Sequence, residues 1–401
     1  MTVASHAAAE NQEPFRLSML LYDKRYRSIF LQIVTLMIFM LAVAWLVDNV
    51  VNNLAALGKE FSFSFLWDPA SYDINQRLIE YTSRSPHWRA ALVGILNTLV
   101  LAFLGCILAT ILGVMIGVAR LSKNWLVSRL MTVYIEAFRN VPVLLWILLA
   151  STIFSSALPS PRQAPSMLGG FLIPTNRSFY IPAPTWGDGS TLLVIVFLLS
   201  IAGMFFFRRW AQARQAETGE ILPVFWISLA IFFLPTLLAF FILGRPIGLE
   251  FPELKGFNFQ GGLNIRNSFM ALWLGLSLYT AAFIAENVRA GIQAISNGQT
   301  EAAYSLGLPP TRTMNLVILP QALRIIIPPL ISQYLNLTKN SSLAIAVGYM
   351  DVTGTLGGIT LNQTGKEMEC LLLLMGFYLI VSLLISAVMN VYNNAVALKE
   401  R

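Results

Sequence analysis

Residues 301–320, EAAYSLGLPPTRTMNLVILP, decide what kind of chain this is. They form a polar island, broken by Gly and Pro, between two long apolar runs. A loop that only connected would be mostly charge and flexible filler. This one carries small residues at Ala302 and Ala303, a breaker at Gly307, a double proline at Pro309 and Pro310, and a second apolar patch from Leu316 to Leu319. Gly closes a helix because it has no Cβ to clash in the left-handed region, and Pro opens one because its fixed φ suits the first turn. Two short, stiff helices lying across a membrane surface are therefore expected, with small side chains where a docking surface would come close.

The runs on either side set the class. Of 401 residues, 56% are hydrophobic and 12% charged, where a soluble domain carries about 25% charged residues. A mean hydropathy of +0.66 and several apolar runs of roughly 18 residues or more exclude a soluble protein. The net charge of +7 would suggest nucleic acid in a soluble chain. Here Lys and Arg collect in loops under the positive-inside rule, so lipid is expected around the chain and nucleic acid is not. Cys106 and Cys370 each sit inside an apolar run, and His6 and His87 lie far apart. Neither a disulfide framework nor a metal site is expected.

At about 20 apolar residues per helical span, the chain divides into eight: 29–47, 90–118, 131–156, 190–207, 222–244, 268–291, 322–347 and 369–392. The fold class expected is all-α integral membrane. Ala42-Val43-Ala44 imitates a cleavage site, but the polar stretch before the first run is long for a signal peptide, so a retained helix is expected. The turn from Arg120 to Arg129 holds three positive charges and no negative one, and Arg208, Arg209 and Arg214 follow the fourth span. That bias places both termini, and residues 301–320, on the cytoplasmic side. Gly113 and Gly117 form a GxxxG step, and Ala281, Ala282, Ala285, Ala290 and Gly291 form a second small-residue face, both suited to close helix approach. Pro328 and Pro329 are expected to kink the seventh span.

The runs at 97–122 (NTLVLAFLGCILATILGVMIGVARLS), 134–149 (YIEAFRNVPVLLWILL), 285–308 (AENVRAGIQAISNGQTEAAYSLGL), 319–330 (LPQALRIIIPPL) and 339–348 (KNSSLAIAVG) together resemble the permease subunits of ATP-binding-cassette (ABC) importers. The branch is the polar amino acid one (histidine, glutamate, glutamine, arginine, opine), and residues 301–320 resemble its EAA loop. The long N-terminal extension and an inserted helix pair depart from the short five-helix members. They look more like the general L-amino acid importer permeases of alpha-proteobacteria.

The resemblance implies a cytoplasmic tail at 1–28 and an accessory helix with its periplasmic loop at 29–89. The permease core would run over 90–156 and 268–392, around an insertion at 157–267 with two spans, and 393–401 would be a cytoplasmic tail. It implies an inner-membrane, multi-pass subunit that pairs with a second permease, a paralogue in a heterodimer. Two cytoplasmic ATPases would use ATP and Mg, and a periplasmic amino-acid-binding protein would deliver substrate. Within a coupling loop at 298–320, Glu301, Ala302, Ala303, Gly307, Leu308, Pro309 and Arg312 would meet the ATPases, with Glu301 and Arg312 paired to the partner or across the bend.

The chain has no GxxxxGK[ST] phosphate loop, so it is expected to bind no ATP and no cofactor itself. With two remote histidines it offers no Ser/His/Asp or Cys/His set, and it is not expected to be an enzyme. Asn340, Ser341 and Ser342 lie about 25 Å along the seventh span at 1.5 Å per residue. Polar groups at that depth either bond other helices or line the translocation path, and both readings stand. Arg139 is either a positive-inside anchor or a carboxylate contact paired with Glu136. Glu286 either pairs locally with Arg289, three residues on, or meets substrate. An ion-gradient-driven secondary transporter is the rival function. It would want buried mid-membrane carboxylates and a repeated half, and it gives residues 301–320 no purpose.

Overall fold

A computed structural model gives the protein's structure and describes residues 24–396 apart from 57, 59 and 60. Both termini, with His6 and the tail beyond 396, lie outside them. Four apolar helices cover the expected spans, the first and third of them running well beyond 29–47 and 190–207: α1 (Lys24–Ala56), α2 (His87–Arg120), then, after the stretch that follows α2, α5 (Ser190–Thr218) and α6 (Val224–Ile242). The stretch between holds α3 (Trp125–Asn140) and α4 (Val143–Ala157). The second half brings α7 (Asn267–Gln293), two short helices α8 (Asn297–Ser305) and α9 (Pro310–Thr313), α10 (Leu319–Asn340) and α11 (Glu367–Val396). Among the described residues, seven helices are long and apolar enough to cross a membrane, or eight if α3 and α4 count as one span.

The span expected at 131–156 is two helices meeting at 105°. Pro142 is the cause. It disfavours the helical region for the residue before it, and Val141 is accordingly extended at φ −107° and ψ 133°. The bend is held by Phe138 stacked on Trp146, ring centroids 4.1 Å apart, and by the Tyr134 hydroxyl donating to the Leu278 carbonyl at 2.7 Å. Pro328 and Pro329, by contrast, sit inside α10, whose helix is continuous.

α7 is the hub. In its most apolar window 61% of the residues are buried, against none in α1, whose side chains face outward along its length. The α2–α7 crossing depends on the GxxxG step. A Cβ placed on Gly113 would lie 2.6 Å from the Ile284 Cβ, and one on Gly117 would lie 2.7 Å from the Ala285 carbonyl oxygen. Ala281, Ala282 and Ala285 are fully buried in that seam. Gly291 packs against Ile326 of α10, whereas Ala290, expected on the same face, is exposed. α5 and α6 pack chiefly on each other, stapled by Ser200 to Thr236 at 3.4 Å and by Arg208 to Ser228 at 3.3 Å.

The loops flanking that pair contain short strands, a feature the apolar pattern did not disclose. They are β1 (Ile173–Pro174), β2 (Ser178–Ile181), β3 (Ala183–Trp186), β4 (Ile247–Glu250), β5 (Glu253–Lys255), β6 (Asn258–Gln260) and β7 (Leu263–Arg266). They form a three-stranded sheet in the order β1-β2-β7 and the two pairs β3-β4 and β5-β6, all antiparallel. The β2–β7 pairing sets Ser178 opposite Arg266 and so delivers the chain to the first residue of α7.

Gly117→Val should separate α2 from α7, because the added Cβ meets backbone and the Val288 Cβ at 2.9 Å. Overpacking of this kind costs about 1–3 kcal/mol, read as a lowered thermal midpoint of the detergent-solubilised chain. Gly376→Ala, where nothing lies within 4 Å of the added Cβ, should leave the midpoint unchanged.

Candidate functional site

Residues 301–320 fold as two short helices around a tight corner. α8 ends with Leu306 N–H donating to the Ala302 carbonyl at 3.2 Å and Leu308 N–H to the Ala303 carbonyl at 3.1 Å. Gly307 closes it in the left-handed region at φ +76°, with open space around it. Pro309, extended at φ −69° and ψ 157°, caps α9, whose first residue is Pro310. A wide π-type turn (Met314–Ile318) then feeds α10. The corner presents Glu301, Ala302, Gly307, Pro309 and Arg312 to the outside, with Leu308 half-buried. Ala303 is the exception: at 3% exposure it packs into its own subunit and is not free for close approach to a partner. Glu301 and Arg312 form no ion pair with each other. Two residues not singled out from the sequence dominate the tip, Leu306 at 81% exposed and Tyr304 at 49%. Their apolar surface in a polar loop is the available signal.

The residues considered for a path fall into two separate groups. Near the end of α2, Glu286 accepts from Arg289 Nε at 3.2 Å and also pairs with Arg120. The expected local pair is present, and Arg120, from the last turn of another helix, makes it a three-member bridge across the α2–α7 seam. Arg139 is exposed, its guanidinium carbon 5.5 Å from the Phe283 ring centroid. Glu136 instead accepts from Asn140 at 3.2 Å, so the pair considered between Arg139 and Glu136 is not formed. At the other end of α10, Asn340 and Ser342 are half-buried. Ser341 is fully buried, donating to the Thr338 carbonyl at 2.7 Å with the Tyr378 hydroxyl at 3.4 Å. Its hydroxyl is thus turned into the packing between α10 and α11 and not onto an open face. Between α2, α10 and α11 lies an apolar cavity of about 700 Å³, with Thr110 and Tyr334 bonded to each other at 2.6 Å in its wall.

The opposite face is polar and tightly tied. Residues 61–86 wrap the start of α2. Tyr72 and His87 both meet the Thr360 hydroxyl at 3.1 Å, the Tyr81 hydroxyl donates to the Tyr72 carbonyl at 2.8 Å, and Ser62 N–H donates to Glu369 at 2.9 Å. α2 then grips the turn after α10. Asn97 Nδ2 donates to the Met350 and Gln76 carbonyls at 2.8 Å each, and Thr98 Oγ1 accepts from Val352 N–H at 3.0 Å. Gly94 permits that approach, since a Cβ there would fall 2.2 Å from Thr355 Oγ1.

Within this turn, outside the spanning helices, Asp351 is fully buried. Its Oδ1 accepts from Gly354 N–H at 2.8 Å and its Oδ2 has no partner. Burial of the charged form pushes its carboxyl up to about 7.

Residues 207–399 match the family described as binding-protein-dependent transport system inner membrane component. The chain is 52% identical to the glutamate/glutamine/aspartate/asparagine transport system permease protein BztB of Rhodobacter capsulatus, over 96% of this chain and 97% of that protein. The chain belongs to the ABC importer permeases, in their amino-acid branch. It is also 45% identical to the general L-amino acid transport system permease protein AapQ of Rhizobium johnstonii, over 96% of each chain. Against the putative amino-acid ABC transporter permease protein YhdX of Escherichia coli it is 46% identical, over 90% of this chain and 91% of that one. This permease is therefore a transmembrane subunit of an ABC importer, a class that works with ATPase and binding-protein subunits. The rival reading, an ion-gradient-driven carrier, gains no support.

Asp351→Asn should flatten the pH dependence of stability. A carboxyl whose folded value lies above its unfolded one contributes stability that is full below the unfolded value and lost as pH rises through the folded value. With 3.8 rising to about 7, the contribution of Asp351 to the parent's stability should be lost between those limits. Thermal midpoints in detergent across that range check it: between those limits the midpoint of the variant relative to the parent should rise with pH, the amide oxygen still accepting from Gly354.

Proposed function

We propose that this permease carries L-amino acids, acidic ones and their amides among them, and that residues 301–320 receive the stroke of separate ATPase subunits on the cytoplasmic side. One observation carries the coupling role. The Gly307 corner holds Tyr304 and Leu306 out of the fold, and an exposed apolar tip on a rigid corner fits a partner's groove. The identity with BztB and AapQ over nearly the full length supports the substrate class. A paralogous permease would complete the path, and a periplasmic binding protein would feed it. ATP and Mg would be used by the partner ATPases alone, this subunit breaking no bond. Nucleotide-loaded ATPases must interact differently with the outward- and inward-facing states, because a ligand without differential affinity shifts no population. The route from tip to core is short: α9, the π-type turn and α10, whose Ile326 packs on Gly291 of α7.

Leu306→Asp tests the coupling role without threatening the fold. The purified variant should lose its ATPase subunits, or retain them with amino acid uptake into proteoliposomes reduced at least tenfold. Normal ATPase retention with normal uptake would refute the docking role. Absence of uptake for every amino acid offered to the parent assembly would refute the substrate class.

A further inference from the structure

α7 begins at Asn267, at the end away from residues 301–320, and around that start lies a polar cavity of about 310 Å³, within the size range of small-molecule sites. Its wall includes Gln76 from the segment before α2, Ser151 and Ser155 of α4, Arg177 beside β2, Arg266 at the end of β7, and Asn267 itself. The β2–β7 register brings the two arginines together: Ser178 faces Arg266, and the Arg177 carbonyl accepts from Asn267 N–H at 3.4 Å. Among the described residues neither guanidinium forms an ion pair.

Asn267 is 8% exposed. Its Nδ2 donates to the Thr175 carbonyl at 3.1 Å and the Phe154 carbonyl at 3.4 Å. Two carbonyl acceptors settle which way the amide points, and they leave Oδ1 a buried acceptor without a partner. Gln76 Oε1 is a second such acceptor. Buried polar atoms are paired as a rule, so an orphaned amide atom on each of two residues that line one cavity calls for a missing partner, within reach after a small side-chain rotation.

We propose that this cavity is a binding station for a free α-amino acid bearing a side-chain carboxylate, an inference that rests on the amino-acid permease reading above. The chemistry is complementary on both counts. Two guanidiniums suit two carboxylates, each able to bond in the planar fork geometry. The Asn267 and Gln76 oxygens suit an ammonium, which has donors and no acceptor. An acidic side chain of a docking protein would satisfy the arginines but bring no cation for the two oxygens. The station draws its arginines from loops flanking the α5–α6 insertion and places them against α7.

The test uses the purified permease–ATPase assembly without its binding protein, and the full assembly in proteoliposomes. Radiolabelled L-glutamate should bind the former saturably. L-aspartate should compete strongly, L-glutamine weakly, and L-leucine and acetate hardly at all. Arg266→Gln and, on the more exposed side of the cavity, Arg177→Gln should each weaken glutamate binding at least tenfold. In proteoliposomes both should slow glutamate and aspartate uptake while leaving leucine uptake intact, which also shows that the assembly has formed. Arg266→Lys should recover part of the loss. No saturable glutamate binding, or an equal loss for all amino acids, overturns the station. An equal loss accompanied by weaker stimulation of ATPase activity by the binding protein assigns the arginines to protein docking instead. If the parent assembly carries no amino acid, the substrate reading itself fails. If the parent carries amino acids and the variants show no acid-selective change, only this station fails.

Discussion

The architecture depends on how closely two helices can approach without water to drive them together. In lipid, an apolar side chain gains little by leaving one hydrocarbon for another, so association has to come from packing and from polar bonds. α2 and α7 meet this constraint by giving up side chains where they cross: Gly113 and Gly117 on one, Ala281 and Ala285 on the other. The backbones then lie near enough for Ile284 and Val288 to fill the seam. At its end the Arg120–Glu286–Arg289 bridge ties both helices by charge. α4 and α10 reach α7 in the same way, with Gly275 against Ile147 and Gly291 against Ile326. α2, α4 and α10 are thus all referenced to α7.

Polar bookkeeping explains the rest of the shape. A backbone that leaves the helix near a bilayer must find partners inside the protein. The turn after α10 does so through Asn97, Thr98 and Tyr349, the last donating to the Asn97 carbonyl at 3.2 Å. Such a turn is held by side chains of another helix, which makes it specific but brittle: Gly94 leaves no room for anything larger. Asp351 stands at the limit of this strategy, with one oxygen satisfied and one not.

What could be read from the sequence followed the range of each signal. Spans were legible because about 20 apolar residues are needed wherever a helix crosses lipid. The two-helix corner was legible because Gly307 and Pro309 act on their own backbone. The break at Pro142 was missed because 131–156 was counted as one span, although Glu136, Arg139 and Asn140 interrupt its apolar content just before the proline. The strands were missed because two to four residues in turn-rich loops carry no period, and β2 meets β7 only through pairing across the whole inserted helix pair. Facing was the other blind spot. The depth of Ser341 followed from counting, but whether it looked at a passage or at Tyr378 was a matter of rotation about the helix. Likewise Arg120 was a loop charge until the fold set it beside Glu286, 166 residues away.

The length of α2 has a further meaning. With 34 residues at 1.5 Å each it is about 51 Å long, while hydrocarbon is only about 30 Å thick. The excess of some 20 Å is taken up by tilt or by projection beyond the oil, and residues 61–86 form a collar around the first turns of α2. Gln76 belongs to the collar and also to the wall of the chamber at the start of α7. The chamber is thereby built partly from the collar and not from the spanning helices alone. A solute could rest there still partly hydrated and postpone stripping its water until the way inward opens.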